Sequence, residues 1–490
     1  MNKLYDIVFS TKEDRKLLYF KGNVDVNEQG LHISSGNTVD FLTYFNSFSI
    51  TKWKEYTTIK KIQINGKIIG SAEIEIYTVG KEEKVLTKKQ VNESFALDFD
   101  VEKITGEILG IKVKAESKVI IQNLTYLGEF EEWKNQKIGV VICTFKREQY
   151  VKVTIDKLVR FSRNNPWLTT LVVDNGSTLE EVETDNLRII HNPNYGGSGG
   201  FTRGLIENLT SKTNDYVLLM DDDIDLEPSA LSHTYGLLCG LKEEYKESFL
   251  SGAMLEMDNP YIQYENKAYW QKIRAKGFGR KFNLSKAKSL VNNEKVLKKE
   301  NQYAGWWYCC IPLIRVKEIG LPLPIFIKGD DIEYSIRNNR SLISLNGIGV
   351  WHEVFKKKQA AWLNYFADRN MLMINNYIKN PNRFDFILGL LLRVLRRIAT
   401  TDYQNLFFIE LSLRDYRYGL NYIAQKDPYK YITEKRFNIG RIAYYKILLN
   451  ILKQIFFLIS NYTTIKAEYL KYRQINLTNI EFWIKYLKIN

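Results

Sequence analysis

The chain has 490 residues, enough for about two to four domains, and its 45% hydrophobic and 26% charged content is typical of globular proteins. Nine prolines argue against long disordered tracts. The 70 basic and 56 acidic side chains give a net charge of +14 (70 − 56), which suits nucleic acid, an anionic membrane or a phosphate-bearing substrate. No zinc-finger or RNA-binding signature is present, so we predict no nucleic-acid partner.

The cysteines and the N-terminus limit the compartment. Cys143, Cys239, Cys309 and Cys310 form no CxxC pair, and with four histidines in the chain we expect no zinc site. This usage fits a reduced, cytosolic compartment. The first residues lack the apolar region of a signal peptide, and no uncharged apolar run reaches about 18 residues, so we predict no membrane span.

Residues 1–136 are predicted to form an N-terminal β-sandwich of the jelly-roll type. Short alternating or β-branched segments recur there, and Asn65-Gly66 and Ser35-Gly36 are predicted to be turns. The region contains no catalytic cluster, so we interpret it as a structural or carbohydrate-contacting module. The expected strands are residues 17–20, 62–64, 68–69, 72–77, 95–99 and 119–121.

Residues 137–358 change to alternating strands and helices, which predicts a mixed, mostly parallel sheet. In such open sheets, ligands bind at the carboxyl ends of the strands. The loops that follow those ends are therefore the place to look for functional residues. The expected strands are residues 138–144, 170–174, 187–190 and 216–220, with a helix near 148–163.

Three consecutive carboxylates follow the fourth strand: Asp221, Asp222 and Asp223. Clustered carboxylates repel one another unless a cation joins them, and oxygen ligands suit Mg²⁺ or Mn²⁺. Such an ion usually keeps positions open for substrate phosphates. The cluster indicates a site for a nucleoside diphosphate, and a solvated acidic turn before a helix is the plainer alternative.

Three other loops at this edge offer groups for a nucleotide-sugar. Arg147 and Arg203 provide cationic forks for phosphate oxygens, and Asp174 offers acceptors for a uracil or ribose. A glycine run in residues 196–200 removes Cβ atoms where a ligand approaches the backbone. The run lacks the P-loop pattern, so a flexible turn stays an alternative.

Later segments add aromatic, acidic and imidazole side chains. Trp306 and Trp307 follow a glycine and are suited to stack on a sugar ring, with core packing as the alternative. Asp330 and Asp331 open an expected helix, where they serve either as N-terminal caps or as a general base whose pKa is raised by a neighbouring carboxylate. His352 is either a core histidine or a metal ligand.

Residues 359–490 are predicted to form a C-terminal helical domain, because apolar residues recur there at helical spacing. Residues 390–397 and 447–459 carry apolar stripes with basic interruptions. Packing in a helical bundle and contact with an anionic membrane surface both explain these stripes. The expected helices are residues 361–378, 384–399, 406–425 and 442–459.

The motifs taken together resemble the inverting GT-A glycosyltransferases of family 2, above all the galactofuranosyltransferases that build cell-wall or capsular galactan. The resemblance covers about residues 137–355 and follows the order TFKR, DNGS, NYGGSGGFTRG, MDDDI, YAGWW, DDIEY and WHE. The DDD motif is common to many sugar transferases, whereas YAGWW with GDDIEY and WHE is much more specific. Gly329 before the acid pair and Cys309-Cys310 after YAGWWY depart from the expected pattern.

The resemblance implies roles for individual residues. Asp221, Asp223 and His352 correspond to ligands of Mn²⁺ or Mg²⁺, and Asp331 corresponds to the general base beside its acceptor-binding neighbour Asp330. The aromatic residues that correspond to the acceptor site are Tyr303, Trp306 and Trp307. The residues that correspond to the nucleotide-sugar site are Thr144, Arg147, Asp174, Gly176, Asn194, Gly197, Arg203 and Asp222.

The implied function is transfer of galactofuranose from UDP-galactofuranose to a hydroxyl of a lipid-linked cell-surface glycan, with inversion at the anomeric carbon. The expected location is cytoplasmic, peripheral on the inner face of the cell membrane, and homo-oligomer formation stays open. One alternative keeps this mechanism with UDP-galactopyranose, UDP-glucose or dTDP-rhamnose as donor. Another is a non-catalytic glycan-binding scaffold.

Overall fold

The computed structural model describes residues 1–354, 361–399, 403–435, 441–473 and 477–489. Strands dominate the first third, strands and helices alternate in the middle, and helices follow to the end. The predicted multidomain α/β fold class is confirmed. The domain limits stay predictions, and the limit between residues 358 and 359 lies outside the described residues.

The N-terminal region consists of two antiparallel sheets whose inner side chains share one apolar core. One sheet has the order β2-β3-β10-β5-β8 with β1 beside β10, and the other has the order β4-β9-β6-β7. A short helix, α1 (Ile50–Tyr56), lies between the fourth and fifth strands. The strands are β1 (Asn2–Asp6), β2 (Asp25–Asn27), β3 (Gly30–Ile33), β4 (Thr38–Asp40), β5 (Ile59–Ile69), β6 (Ala72–Val79), β7 (Glu83–Val91), β8 (Ser94–Asp100), β9 (Ile108–Ala115) and β10 (Val119–Phe130).

Two local predictions in this region are wrong. The strand expected at residues 17–20 is replaced by a 3-10 helix over Glu13–Leu18. The turn expected at Asn65-Gly66 lies inside the long strand β5, where a Cβ on Gly66 would overlap the ring of Phe95 on β8. The glycine makes room for an aromatic ring instead of ending the strand. The turn at Gly36 is confirmed by its φ of 82° between β3 and β4.

The central region has an eight-stranded mixed sheet, two smaller sheets and six helices. The helices are α2 (Glu148–Ser162), α3 (Gly196–Ser211), α4 (Ser229–Cys239), α5 (Ala287–Asn293), α6 (Leu313–Ile319) and α7 (Asp330–Asn338). The strands are β11 (Ile138–Thr144), β12 (Leu168–Asp174), β13 (Val182–Glu183), β14 (Leu187–His191), β15 (Tyr216–Asp221), β16 (Asp225–Leu226), β17 (Phe249–Ser251), β18 (Ala253–Glu256), β19 (Ile262–Glu265), β20 (Lys267–Gln271), β21 (Arg274–Phe278), β22 (Phe282–Asn283), β23 (Gln302–Tyr303), β24 (Cys309–Pro312), β25 (Leu342–Ile343) and β26 (Gly349–His352).

The register of the main sheet places the predicted loops side by side. Its order is β13-β14-β12-β11-β15-β24-β17-β25, and β14, β12, β11 and β15 run parallel. Thr144 pairs with Asp174, and Cys143 pairs with Asp221. The carboxyl ends of these strands therefore meet at one edge, as the sequence predicts.

The C-terminal region is helical and shares cores with the central region. Helices α8 and α12 pack on α10, and their apolar core also includes Leu323, Ile325 and Phe326. Among the described residues, no helix combines the length and the apolar character of a membrane span. The helices are α8 (Ala361–Tyr377), α9 (Arg383–Ala399), α10 (Tyr403–Ala424), α11 (Pro428–Thr433), α12 (Arg441–Ser460), α13 (Tyr462–Tyr472) and α14 (Ile480–Leu487).

Candidate active site

Asp221, Asp223 and His352 form one compact group at the edge of the main sheet. Strand β16, just after the aspartates, pairs with β26 and so brings His352 to them. The Nε2 atom of His352 lies 3.1 Å from Oδ1 of Asp223 and 3.7 Å from Oδ2 of Asp221. One ligand atom from each of the three residues lies within 4.8 Å of the others.

The donor set of this group fits a divalent cation such as Mn²⁺ or Mg²⁺. Two carboxylates supply hard oxygen ligands, and imidazole is a second ligand type that transition metals accept. The Nδ1 atom of His352 lies 2.6 Å from the carbonyl oxygen of Glu353, and donating a proton there leaves Nε2 directed at the carboxylates. This backbone contact is the kind of support that metal-binding histidines have in proteins.

The charges within the group are strongly coupled. Burial raises the pKa of Asp221 to about 6, while the charge of His352 opposes that rise. Burial acts in the same direction on Asp223, but the hydrogen bond and charge of His352, together with Arg147, lower the pKa of Asp223 to about 2. Burial lowers the pKa of His352, yet the contact with Asp223 outweighs it and raises that pKa to about 9. The three side chains therefore act on one another as a single coupled group.

The side chain of Asp222 points to the loop after β11 and not into the group of Asp221, Asp223 and His352. The hydroxyl of Thr144 donates to Oδ2 of Asp222 at 2.7 Å, and Nη1 of Arg147 lies 3.4 Å from Oδ1 of Asp222 and also contacts Asp223. Burial raises the pKa of Asp222 to about 6. The structure therefore brings together Thr144, Arg147 and the aspartates, and it leaves Arg147 half exposed at the edge.

Asp174 is fully buried and shapes its own loop. Its carboxylate oxygens accept hydrogen bonds from the backbone N–H groups of Gly176, Thr178 and Leu179 at 2.8, 2.6 and 2.8 Å. A Cβ on Gly176 would lie 3.2 Å from the backbone nitrogen of Lys146, so the loop after β12 packs closely on the loop after β11. A contact between Asp174 and a nucleotide stays a prediction.

The glycine run forms the first turn of α3 and is not a flexible turn. The Oδ1 atom of Asn194 accepts a hydrogen bond at 3.1 Å from the N–H of Gly196, the first residue of α3. A Cβ on Gly197 would lie 3.2 Å from Oδ2 of Asp330, so the run meets the acid pair. Arg203 lies further along α3 and donates to Glu207 at 2.8 Å, so its predicted phosphate contact stays untested.

Asp330 and Asp331 are the first two residues of α7. They follow Gly329, which has a φ of 95°. Burial raises the pKa of both carboxyl groups, and the negative charge of Asp331 raises the pKa of Asp330 further. The backbone N–H of Ile332 donates to Oδ1 of Asp331 at 2.8 Å and favours its charged form. One proton held between two close carboxylates is a suitable state for acid–base chemistry.

The predicted acceptor aromatics are buried. Trp306 packs edge-on against Phe201 and Tyr334, with ring centroids 5.1 and 6.2 Å away, and the indole of Trp307 donates to the carbonyl oxygen of Gly252 at 3.0 Å. Tyr303 is also buried, and burial raises the pKa of its hydroxyl. Core packing explains these positions, and an acceptor role for the three residues stays a prediction.

Sequence reasoning missed Glu265, which lies at the end of β19 near the acid pair. Burial raises the pKa of Glu265 to about 7, the cation of Arg280 opposes this, and the charge of Asp331 adds to it. Gly277 makes room for the carboxyl group, because a Cβ there would overlap Oε2 of Glu265. A lone glutamate in an alternating strand gives no signal that could have singled it out.

Two family comparisons agree with the motifs. A sequence model described as "Galactofuranosyltransferase 2 N-terminal" matches residues 13–129, and one described as "Glycosyl transferase family 2" matches residues 139–243. The resemblance predicted from the motifs is confirmed for this part of the chain: residues 139–243 match glycosyl transferase family 2.

Two curated proteins are similar over most of the chain. The galactofuranosyltransferase GlfT2 of Mycolicibacterium smegmatis is 26% identical over 383 residues, which are 70% of this chain and 58% of the relative. The protein of the same name from Mycobacterium tuberculosis is 25% identical over 438 residues, 80% of this chain and 67% of the relative. The chain thus spans about three fifths to two thirds of the length of these relatives.

Solved structures give more distant matches. The crystal structure of S. aureus TarS 1-349 in complex with UDP-GlcNAc is 11% identical, covers 68% of this chain and 92% of its own, and has a TM-score of 0.38. The mannosyltransferase PcManGT from Pyrobaculum calidifontis, in complex with GDP-Man and Mn2+, is 10% identical, covers 69% and 88%, and has a TM-score of 0.34.

Proposed function

We propose that the chain is an inverting glycosyltransferase that moves galactofuranose from UDP-galactofuranose to a hydroxyl of a glycan acceptor. The observation that carries the proposal is the proximity of the cation-binding group to the acid pair. Cys143 pairs with Asp221 in the sheet, and its Sγ lies 3.9 Å from the carbonyl oxygen of Gly196 at the start of α3. In the same turn of α3, a Cβ on Gly197 would lie 3.2 Å from Oδ2 of Asp330. The names of the two curated relatives support galactofuranose as the donor sugar.

Different residues act on the donor and on the acceptor. Asp221, Asp223 and His352 would hold Mn²⁺ or Mg²⁺, which when bound neutralises negative charge on the leaving diphosphate. Arg147 adds a cationic group at the same edge. Asp331 accepts the proton of the attacking hydroxyl, so that the hydroxyl oxygen attacks the anomeric carbon from the face opposite the leaving group.

A single base is enough for this displacement. The diphosphate is an activated leaving group and needs no protonation, unlike the leaving groups of glycosidases, which require a second carboxyl group as an acid. Asp330, with its more strongly raised pKa, is the partner suited to hydrogen-bond the acceptor. The alternative of a non-catalytic scaffold leaves the joint presence of a cation-binding group and a base without purpose.

The outer faces of α9 and α12 support an acceptor presented at a membrane. These nine apolar side chains are between 38% and 73% exposed and follow helical spacing on each helix: Phe384, Leu388, Leu391, Leu392, Leu395, Tyr445, Leu449, Leu452 and Phe456. The exposed basic residues beside them are Arg383, Arg396, Lys446 and Lys453. Apolar faces rimmed by cations suit an anionic lipid surface, so we include a lipid-linked acceptor at the inner face of the cell membrane in the proposal.

The experiment that tests the proposal is the Asp331→Asn variant. We expect transfer to fall by about 100- to 10,000-fold, the usual contribution of a general base, while UDP binding by calorimetry stays within about threefold. Asp185→Asn, an exposed aspartate between β13 and β14, is the control and should keep its turnover. Near-normal transfer by Asp331→Asn contradicts the assignment of the base.

A further inference from the structure

The segment before the acid pair has an unusual backbone. Phe326, Lys328 and Gly329 have φ values of 74°, 67° and 95°. Left-handed conformations are rare for bulky residues and persist only where the surroundings fix them. Because Asp330 and Asp331 follow directly, whatever fixes this segment also fixes the two carboxyl groups.

Helix α8 of the C-terminal region supplies one side of that support. The guanidinium of Arg369 donates through Nη2 to the carbonyl oxygen of Ile325 at 2.8 Å. The amide Nδ2 of Asn370 lies 3.2, 2.9 and 2.9 Å from the carbonyl oxygens of Ile325, Ile327 and Lys328. Both side chains are almost completely buried, at 2% and 1% exposure, so their donor groups are shielded from water and directed at these carbonyls.

The first turn of α3 supplies the other side. The N–H of Ser198 donates to the carbonyl oxygen of Phe326 at 3.0 Å, and the hydroxyl of Ser198 donates to that of Leu323 at 2.5 Å. Gly196 is needed there, because a Cβ would overlap the Phe326 carbonyl. The four consecutive carbonyls of residues 325–328 are thus all occupied, three by α8 and one by α3.

Gly329 fits the same arrangement. Its φ of 95° favours glycine, and a Cβ at this position would lie 2.8 Å from Cδ1 of Ile374 on α8. The departure from the family pattern at Gly329 therefore coincides with close approach of the segment to this helix. Arg369 is itself held by Tyr365, whose hydroxyl donates to Asp415 on α10 at 2.7 Å, so the support extends into the helical core.

We infer that Arg369 and Asn370 are positioning residues for transfer: they hold the carbonyl oxygens of Ile325, Ile327 and Lys328 and thereby set the place of Asp331 against the acceptor hydroxyl. This inference rests on the proposed function. The C-terminal helices then complete the active site, although they contribute no group that touches substrate. Misplacement of a reacting group by about 1 Å can lower a rate by about 100-fold.

The test uses the full chain and two variants. Asn370→Asp keeps the size of the side chain but replaces its donors with acceptors that face three carbonyls. Arg369→Lys keeps the positive charge but loses the planar guanidinium group and its several N–H donors. Asn376→Asp is the matched control, since Asn376 is equally buried on α8 and its only described hydrogen-bond partner, the hydroxyl of Tyr416, can also donate to a carboxylate.

Three readouts separate positioning from a purely structural role. With UDP-galactofuranose and a galactose-terminated lipid acceptor, kcat of Asn370→Asp should fall by about 30- to 100-fold relative to Asn376→Asp, with donor KM and UDP affinity within about threefold. Amide hydrogen exchange should quicken at residues 326–332 and nowhere else in the central region. The acid limb of the pH profile should move to lower pH, because a loosened Asp331 gains water. Arg369→Lys should lie between wild type and Asn370→Asp.

Three results overturn the inference in distinguishable ways. If Asp331→Asn abolishes transfer while Asn370→Asp matches Asn376→Asp in kcat and pH profile, the positioning role is wrong and the proposed function stands. If Asn370→Asp loses UDP binding and thermal stability in parallel with activity, α8 acts only on folding. Normal turnover by Asp331→Asn removes the proposed base and the positioning role together.

Discussion

At the scale of single residues, acid–base chemistry depends on which carboxyl group at the start of α7 holds a proton. Burial and mutual repulsion disfavour two charges on Asp330 and Asp331, and the pKa of Asp330 is raised the more strongly. Asp331 therefore loses its proton first and receives a backbone hydrogen bond that favours its charge. Asp331 is therefore the base, and Asp330 is its protonated, neutral neighbour.

The pH dependence of transfer follows from this assignment. Asp331 acts as a base only when it is unprotonated, so activity is present above its pKa and is lost as the pH falls through it. Because burial raises that pKa, we expect the acid limb of kcat/KM at a pH above the ordinary aspartate value of about 4. A pH–rate profile with saturating metal checks this, and full activity down to pH 4 contradicts it.

The group of Asp221, Asp223 and His352 gives a prediction that needs no turnover. Asp223→Ala should weaken Mn²⁺ binding by more than about tenfold, since groups that merely support metal ligands already contribute about 10- to 100-fold. Calorimetric titration with Mn²⁺ measures it. Asp225→Asn, two residues further and paired with Arg15 and Lys157, is the control and should keep its Mn²⁺ affinity. Equal affinity of both variants contradicts the ligand set.

At the scale of elements, apolar periodicity predicted the helices better than turn signals predicted the strands. The helix expected at 384–399 is Arg383–Ala399, and the one expected at 442–459 is Arg441–Ser460. Each stripe of apolar residues extends over several turns, so its ends are well marked. The glycine of Asn65-Gly66 instead accommodates Phe95 from a strand some 30 residues away in sequence, and no local pattern reveals that contact.

The candidate site also has features that the sequence predicts and features that it does not. The resemblance to the family predicted that Asp221, Asp223 and His352 meet, although His352 lies on β26, in a different sheet from Asp221 on β15. It could not predict Arg369 or Asn370, whose partners are main-chain carbonyls that carry no side-chain signature. The sequence fits both a buried and a sugar-binding position for Trp306 and Trp307, because a tryptophan pair looks alike in a core and in a sugar site.

The exposed faces of α9 and α12 give a prediction at this scale. We expect the full chain to sediment with vesicles that contain anionic lipid, less so at high salt, and Leu392→Glu with Leu452→Glu to abolish this by placing carboxylates at the apolar surface. Ile314→Glu is the matched control, since Ile314 is similarly exposed on α6. Unchanged sedimentation contradicts the membrane surface, and a change from oligomer to monomer in the double variant identifies the faces as an interface between copies.

At the scale of the whole molecule, the three regions are joined through shared cores. The N-terminal sheets and the central sheet belong to one apolar cluster, and the segment before the acid pair belongs to the core of the C-terminal helices. Helix α14 returns to the central region, where the indole of Trp483 donates to the carbonyl oxygen of Pro322 at 2.9 Å. The proposed transfer site is therefore a product of the central and helical regions together, with donor groups on one side and the base held from the other.

The most direct measurement is UDP release from UDP-galactofuranose with Mn²⁺ or Mg²⁺ and a galactose-terminated lipid acceptor, beside UDP-galactopyranose, UDP-glucose and dTDP-rhamnose as donors, the last followed by dTDP release. The account predicts release confined to UDP-galactofuranose, dependent on the acceptor and lost with EDTA. Release from another donor alone contradicts the assigned sugar. No release from any donor, together with undetectable UDP binding by calorimetry, contradicts the assignment of this site as a glycosyltransferase centre.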